Sequence, residues 1–215
     1  MIRQAQPEDA ALLRRLFARF PFLGGRLATA YECYQNHAQL CGFYLANNTG
    51  VLMLQGGNAL LCGRADPEEL AAFLRFTGVE NIKSENTRPP GFAQRPQVRM
   101  VYRQAGAPAA GRLPAGVLLE EEPSLWQLAF EDEVLPLPDP GGYYADACLR
   151  RTRGHSDIVC AAATGRYVAT AGVFRLQPQG AYITAVHSLP EWRGRGIAGA
   201  LLAHLASRCG GRPVW

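Results

Sequence analysis

Lysine is almost absent from this chain: Lys83 is the single lysine among 22 basic residues, and arginine supplies the rest. The basic side chains form no dense block and do not alternate with aromatic residues, so the sequence does not indicate a nucleic-acid-binding surface. Arg150, Arg151 and Arg153 cluster at the end of an expected helix, where the helix dipole alone favours positive charge. The formal net charge is only +4, and we do not expect nucleic acid as a partner.

Closely spaced cysteine pairs are also missing. None of the six cysteines belongs to a C-x-x-C pair, and no histidine lies at zinc-ligand spacing from two of them. We therefore expect reduced, mostly buried thiols and no metal cofactor. The chain opens with polar sequence instead of a signal peptide, and its uncharged apolar stretches are too short to span a bilayer. A cytoplasmic protein without membrane contact is the resulting expectation.

A stretch rich in proline, glycine and small residues, 104–116, divides the chain into halves of similar length. Such composition is typical of a linker. We predict an N-terminal unit at 1–104, a linker at 105–116 and a C-terminal unit at 117–215. Both halves show the order strand, helix, helix, strands, helix, strand. This order predicts an internal duplication of a mixed α/β fold, with mostly antiparallel sheets flanked by helices.

Apolar periodicity and turn residues predict the individual elements. In the first half, one helix begins at Pro7 and is stopped by Pro21, and the next covers about 25–37. The other elements expected there are a helix over 67–77 and strands at 2–5, 43–45, 51–54, 59–62, 80–84 and 98–103. The second half predicts helices over 124–131, 142–151 and 197–209, strands at 116–119, 157–163, 166–176 and 181–188, and the start of a further strand at 213–215.

The segment that indicates a chemistry is the turn Arg193-Gly194-Arg195-Gly196-Ile197-Ala198, between a strand and a helix. Glycines allow backbone N–H groups to converge on one point, and the helix directs its free N–H groups and positive dipole end there. A phosphate or pyrophosphate is the expected ligand, and the two arginines add positive charge. The turn is neither a G-x-G-x-x-G dinucleotide motif followed by a ribose-binding acid nor a P-loop with G-K-[ST].

This segment resembles motif A of the Gcn5-related N-acetyltransferases, R/Q-x-x-G-x-G/A, which follows a strand and a V-x-x-x-P stretch. Arg193, Gly196 and Ala198 occupy the motif positions, and Val186 and Pro190 precede them. The resemblance covers about 116–215. It implies an acyl-CoA N-acyltransferase-like fold, in two tandem units if the first half is a duplicate.

The resemblance also implies a division of labour. Backbone groups of Ala185, Val186 and His187 would contact the pantetheine arm of acetyl-CoA, the cosubstrate. The amides of 193–198 would hold its pyrophosphate. An amine, on a small molecule or a protein, would attack the thioester directly, with catalysis by positioning and proton transfer.

The general base has several candidates. His187 lies on the cofactor strand, where a neutral imidazole can accept a proton, although a lone strand histidine also fits a packed or solvated position. The acids at 120–122 follow the first strand of this half, and those at 131–133 and Asp139 border a proline-rich loop that helps to form the acceptor site in the family. Each acidic group also fits a solvated loop.

The family's general acid, a tyrosine beyond motif A, has no counterpart before Trp215. A shortened chain, completion of the site by a second chain in a homodimer or by the N-terminal half, and loss of activity all fit this pattern. The alternative to an acetyltransferase is therefore a non-catalytic acyl-CoA-binding or protein-interaction module. In the N-terminal half the corresponding helix opens with Asp66-Pro67-Glu68-Glu69, whose acids would repel a pyrophosphate, so we expect no cofactor there.

Overall fold

The structure is a computed structural model that describes residues 1–97, 111–121, 130, 139–178 and 180–215, without the side chains of 174 and 175. The chain divides into two compact units, Met1–Val98 and Arg99–Trp215. The strand predicted at 98–103 lies outside the described residues, as does most of the helix predicted at 124–131. The proposed linker is described only at 111–116, and its role as a linker stays a prediction.

The first unit contains a five-stranded sheet in the order β1 to β5. Its strands are β1 (Ile2–Gln4), β2 (Gly42–Ala46), β3 (Gly50–Gln55), β4 (Asn58–Gly63) and β5 (Asn81–Ser84). Neighbouring strands are antiparallel except for β4 and β5, which are parallel. The helices are α1 (Ala10–Arg19), α2 (Pro21–Tyr34) and α3 (Pro67–Phe76), and the last of these connects the parallel pair. The strands expected from alternation and turn residues are confirmed, each with small shifts at its ends.

Pro21 both ends one helix and begins the next. The prediction that α2 starts near Gly25 is wrong, because α2 begins at Pro21 itself. Proline suits the first helical position, where its missing N–H costs nothing and its fixed φ is already helical. The two helices then approach closely at Gly24: an added Cβ would lie 2.1 Å from the carbonyl oxygen of Phe17.

The second unit contains a four-stranded antiparallel sheet in the order β6 to β9. Its elements are β6 (Leu118–Glu120), α4 (Pro140–Thr152), β7 (Asp157–Ala163), β8 (Arg166–Gln177), β9 (Gly180–Ser188) and α5 (Ile197–Arg208), with a short 3-10 helix at Pro190–Trp192. The apolar side of α5, formed by Ile197, Leu201 and Leu205, packs on buried sheet residues such as Val159 and Ala171. These elements match the predicted helices and strands.

The strand predicted to start at 213 pairs in parallel with the beginning of β9. The amide of Ala181 donates to Pro213 O at 2.8 Å, that of Trp215 to Ala181 O at 2.9 Å, and that of Ile183 to Trp215 O at 2.7 Å. The second unit therefore repeats the strand, helix, parallel-strand order that β4, α3 and β5 show in the first.

We predict that Gly24→Ala lowers the free energy of unfolding by about 1–3 kcal/mol, because the methyl group would overlap the Phe17 carbonyl and force α1 and α2 apart. Gly199→Ala is the matched control: it is also a helix position, but its added Cβ meets nothing within 4 Å. Alanine there should leave stability unchanged or raise it by up to about 1 kcal/mol. Urea denaturation followed by circular dichroism measures both, and equal stability of the two variants would contradict the close approach.

Candidate cofactor site

Strand register decides which side chains of the second unit share a face of the sheet. Glu120 pairs with Cys160, Cys160 with Thr170, and Thr170 with His187. Residues directly opposite each other in antiparallel strands project to the same side. These residues therefore form one cross-strand row, which we call the His187 row. It runs from exposed Glu120, through two buried positions, to half-buried His187.

The His187 row lies on the side of the sheet away from α5, because the alternate strand residues, such as Val159 and Ala171, contribute to the core under that helix. On the His187 side, Ala147 of α4 packs with Ile158 of β7, and Tyr143 and Ala185 pack against this pair. The α4 helix thus covers part of the same face, next to the predicted cofactor strand.

A β-bulge interrupts β9 beside His187. Between two paired positions, β8 advances from Thr170 to Gly172 while β9 advances from His187 to Thr184, so β9 contains one more residue. Ala185 lies within this bulge and has φ +54°. This left-handed conformation costs a non-glycine residue about 1–2 kcal/mol. Bulges bend a strand and redirect its backbone groups, and they are frequent next to functional sites.

The chain is anchored where it leaves β9. Leu189 is buried, and its amide donates to Val168 O at 3.0 Å. The 3-10 helix follows, and the half-buried Trp192 packs against the core of the unit. The amide of Arg193 then bonds to Pro190 O at 3.2 Å. The glycine-rich turn therefore starts from a fixed point.

Backbone donors accumulate at the start of α5. Gly196 is the N-cap residue, has φ +76° and provides no side-chain cap. The first helical bond runs from the amide of Ala200 to Gly196 O at 3.0 Å. The amides of 196–199, which we call the first-turn amides, consequently have no intrahelical acceptor. There is room beside two of these residues, since a Cβ added at Gly196 or Gly199 would meet nothing within 4 Å.

The two arginines of the turn are held by the protein. The Nε atom of Arg193 donates to Ser188 O at 3.1 Å. An Nη atom of Arg195 donates to Glu191 O at 3.1 Å, and its guanidinium carbon lies 4.7 Å from the centre of the Trp192 ring. Within the described part of the chain, neither guanidinium pairs with a carboxylate. A helix N-terminus with free amides and adjacent cations is a site for a phosphate or pyrophosphate.

The acidic candidates for a general base have mostly structural contacts. The Glu121 carboxylate, which directly follows β6, pairs with Arg208 at 2.9 Å and so links β6 to the end of α5. Arg208 also contacts the Asp157 carboxylate at 2.7 Å. Asp139 caps α4, where its Oδ1 accepts from the Gly142 amide at 3.0 Å. Glu120 lies at the far end of the His187 row. The remaining acids, at 122 and 131–133, lie outside the described residues.

The corresponding position of the first unit is occupied by its own side chains. At the start of α3, the Asp66 carboxylate accepts from the Glu69 amide at 2.9 Å, and Pro67 has no N–H to offer. The amide of Ala65 donates to the Thr87 hydroxyl at 3.2 Å. At this helix start, a carboxylate and a proline therefore account for two of the donor positions that have no acceptor in α5.

Three further observations concern the whole described chain. The six cysteines are free thiols, and five of them are buried. Among the described residues, no group of three or more His, Cys, Asp or Glu side chains is arranged to hold a metal ion. No helix in that part of the chain is long and apolar enough to cross a membrane.

Comparison with known proteins relates the second unit to one family. Residues 121–213 match the model of the acetyltransferase (GNAT) family. The structure of a GCN5-related N-acetyltransferase from Sphaerobacter thermophilus has a TM-score of 0.60 at 17% identity, covering 100% of this chain and 84% of that chain. One from Kribbella flavida has a TM-score of 0.55 at 16% identity, covering 89% and 84%. At these identities the likeness shows the fold alone. No curated protein matches the chain. The predicted fold class and family resemblance are confirmed.

Proposed function

We propose that this chain transfers an acetyl group from acetyl-CoA to an amine, on the premise that residues 121–213 match the acetyltransferase (GNAT) family. Acyl transfer from acyl-CoA is the chemistry that the family implies. The observation that carries the proposal is the uncapped start of α5, where the first-turn amides have no intrahelical acceptor and Arg193 and Arg195 belong to the same turn. These donors match the pyrophosphate of coenzyme A in charge and in hydrogen-bond direction.

The pantetheine arm would extend from the first-turn amides toward the bulge at Ala185. The bulge redirects the backbone groups of β9 at Ala185, and the amides of pantetheine can pair with such groups as an added strand would. This route would bring the thioester beside Ala185, Val186 and His187, as the family resemblance implies.

The reaction needs few groups from the protein. The amine nitrogen attacks the thioester carbonyl carbon, a C–N bond forms, the C–S bond breaks, and the thiolate of coenzyme A leaves. The extra proton on the nitrogen must pass to a base. His187 is the proposed base, because it lies next to the bulge on the face that α4 partly covers. Holding the amine and thioester together supplies much of the remaining rate enhancement.

The acceptor is an amine of a small molecule or a protein, and we propose that it approaches along the α4 face. A homodimer remains a proposal, as does the absence of nucleic-acid and membrane partners. The cytoplasmic location stays a prediction of the sequence. In the first unit, the Asp66 cap supports the proposal that the cofactor binds only to the second.

We predict that coenzyme A binds the wild-type chain and that Gly196→Ala weakens this binding by at least about tenfold, or 1.4 kcal/mol. A side chain disfavours φ +76° and reorients the first-turn amides. Gly154→Ala is the control: Gly154 also has positive φ, +73°, and its added Cβ meets nothing within 4 Å, but it lies after α4. Isothermal titration calorimetry measures the affinities. Equal affinity of both variants would exclude the pyrophosphate assignment.

We predict that His187→Gln reduces acetyl transfer by about a hundredfold or more, the usual contribution of general-base catalysis. Affinity for coenzyme A should stay within about twofold of wild type, because the first-turn amides are unchanged. Thiol release from acetyl-CoA across a panel of amines measures the rate, and calorimetry measures the affinity. Unchanged turnover in the variant rules out His187 as the base. Binding of coenzyme A without transfer to any amine by the wild type would instead support the non-catalytic acyl-CoA-binding module.

A further inference from the structure

The first unit contains a cavity of about 530 Å³ beside the ends of its two parallel strands. Among the residues that line it, Arg64 directly follows β4 and Glu85 directly follows β5. The carboxyl ends of neighbouring parallel strands lie at one edge of a sheet, where ligands frequently bind. The volume is within the range of small-molecule sites, roughly 300–1,000 Å³. The acetyl transfer proposed for the second unit makes no use of this cavity.

Thr87 joins the two loops that follow these strands. Its hydroxyl oxygen accepts from the Ala65 amide at 3.2 Å, and its own amide donates to Ser84 Oγ at 3.1 Å. Thr87 is only 7% exposed although it lines the cavity, so it forms part of a fixed wall. A hydroxyl that accepts one hydrogen bond can also donate one, and an oxygen atom of a ligand is a suitable acceptor.

Positive charge predominates around the cavity. The exposed side chains of Arg64 and Arg88 both line it, and within residues 1–97 neither guanidinium pairs with a carboxylate. Glu85 is the one acid among the described lining residues. Two arginines and one glutamate give the lining a formal net charge of +1, which attracts an anion.

The start of α3, which borders the cavity, offers few of the backbone donors that favour a phosphate. The Asp66 carboxylate accepts from the Glu69 amide, and Pro67, a lining residue, has no N–H. Recognition of an anion here therefore depends mainly on side chains. A planar guanidinium matches a planar carboxylate, to which it can donate two parallel charge-assisted hydrogen bonds.

We propose that the first unit binds a small organic carboxylate in this cavity. Arg64 and Arg88 supply the charge, and the Asn86 amide and the Thr87 hydroxyl supply further hydrogen bonds. Glu85 opposes the negative charge of the ligand and limits its affinity. The proposal concerns the first unit alone and does not depend on the acetyl transfer proposed for the second.

The test uses succinate as the probe and the full chain, with isothermal titration calorimetry at one fixed salt concentration. Succinate should bind, and succinamide, its uncharged analogue, should not. Arg64→Gln and Arg88→Gln should each weaken succinate binding by about tenfold or more, the effect of losing a charge-assisted hydrogen bond. Arg14→Gln is the matched control, because Arg14 is an exposed arginine of α1 that does not line the cavity. Its affinity for succinate should equal that of the wild type.

Glu85→Gln tests the same site with the opposite sign. Removing the one negative charge of the described lining should tighten succinate binding by about threefold or more. A variant that folds poorly would not bind more tightly, so this result separates the charge of the lining from its stability. Circular dichroism of all variants checks that the fold is retained.

Several results would overturn the proposal. They are absence of succinate binding at millimolar concentration, unchanged affinity in Arg64→Gln and Arg88→Gln, and unchanged or weaker binding in Glu85→Gln. Loss of binding in Arg195→Gln but not in Arg64→Gln would place the anion in the second unit instead. Tighter binding of inorganic phosphate than of succinate would contradict the assignment of a carboxylate.

Discussion

The first turn of α5 carries backbone amides that no carbonyl of the helix can satisfy, and no backbone carbonyl among the described residues accepts from them. The N-cap residue is Gly196, which has no side chain to accept from them. A serine or aspartate in its place would normally take up at least one of these donors. An anion bound there would offset the cost of the uncapped helix start. This constraint connects the local sequence to the proposed function, because the proposed site consists of hydrogen-bond donors that have no acceptor within the helix.

In the first unit, the helix in the corresponding position of a similar strand–helix–strand arrangement is capped by a side chain. There, β4, α3 and β5 form a strand, a helix and a parallel strand, as do β9, α5 and Pro213–Trp215 in the second unit. The difference lies in a single cap: the Asp66 carboxylate bonds to the Glu69 amide, and Pro67 removes another donor. A capped helix is more stable by about 1 kcal/mol, and it is closed to anions. The same topology can thus serve as scaffold or as binding site, depending on one or two residues.

The sequence predicted those features that depend on neighbours along the chain. Helical periodicity, glycine turns and Arg193 to Ala198 are local patterns, and the structure has the corresponding elements. The bulge at Ala185 could not be predicted, because alanine is not favoured at positive φ and only the pairing of β8 with β9 imposes it. The His187 row was equally inaccessible, since it requires the register of all strands of the sheet. Pro21 was misread because its role in ending a helix hid its preference for beginning one.

Backbone amides at a helix start attract any phosphate of suitable size, so they supply affinity without much discrimination. Discrimination between phosphate-containing ligands has to come from side chains at defined distances from that helix start. In this unit, the bulge and His187 lie on the strand that precedes the turn, where the thioester and the amine would meet in the proposed reaction. Within the turn itself, Arg195 is stacked on the Trp192 ring, and the Glu191 carboxylate is paired with Arg166. In the proposed function, the glycines therefore set where the ligand is held, and the side chains around them set the reaction.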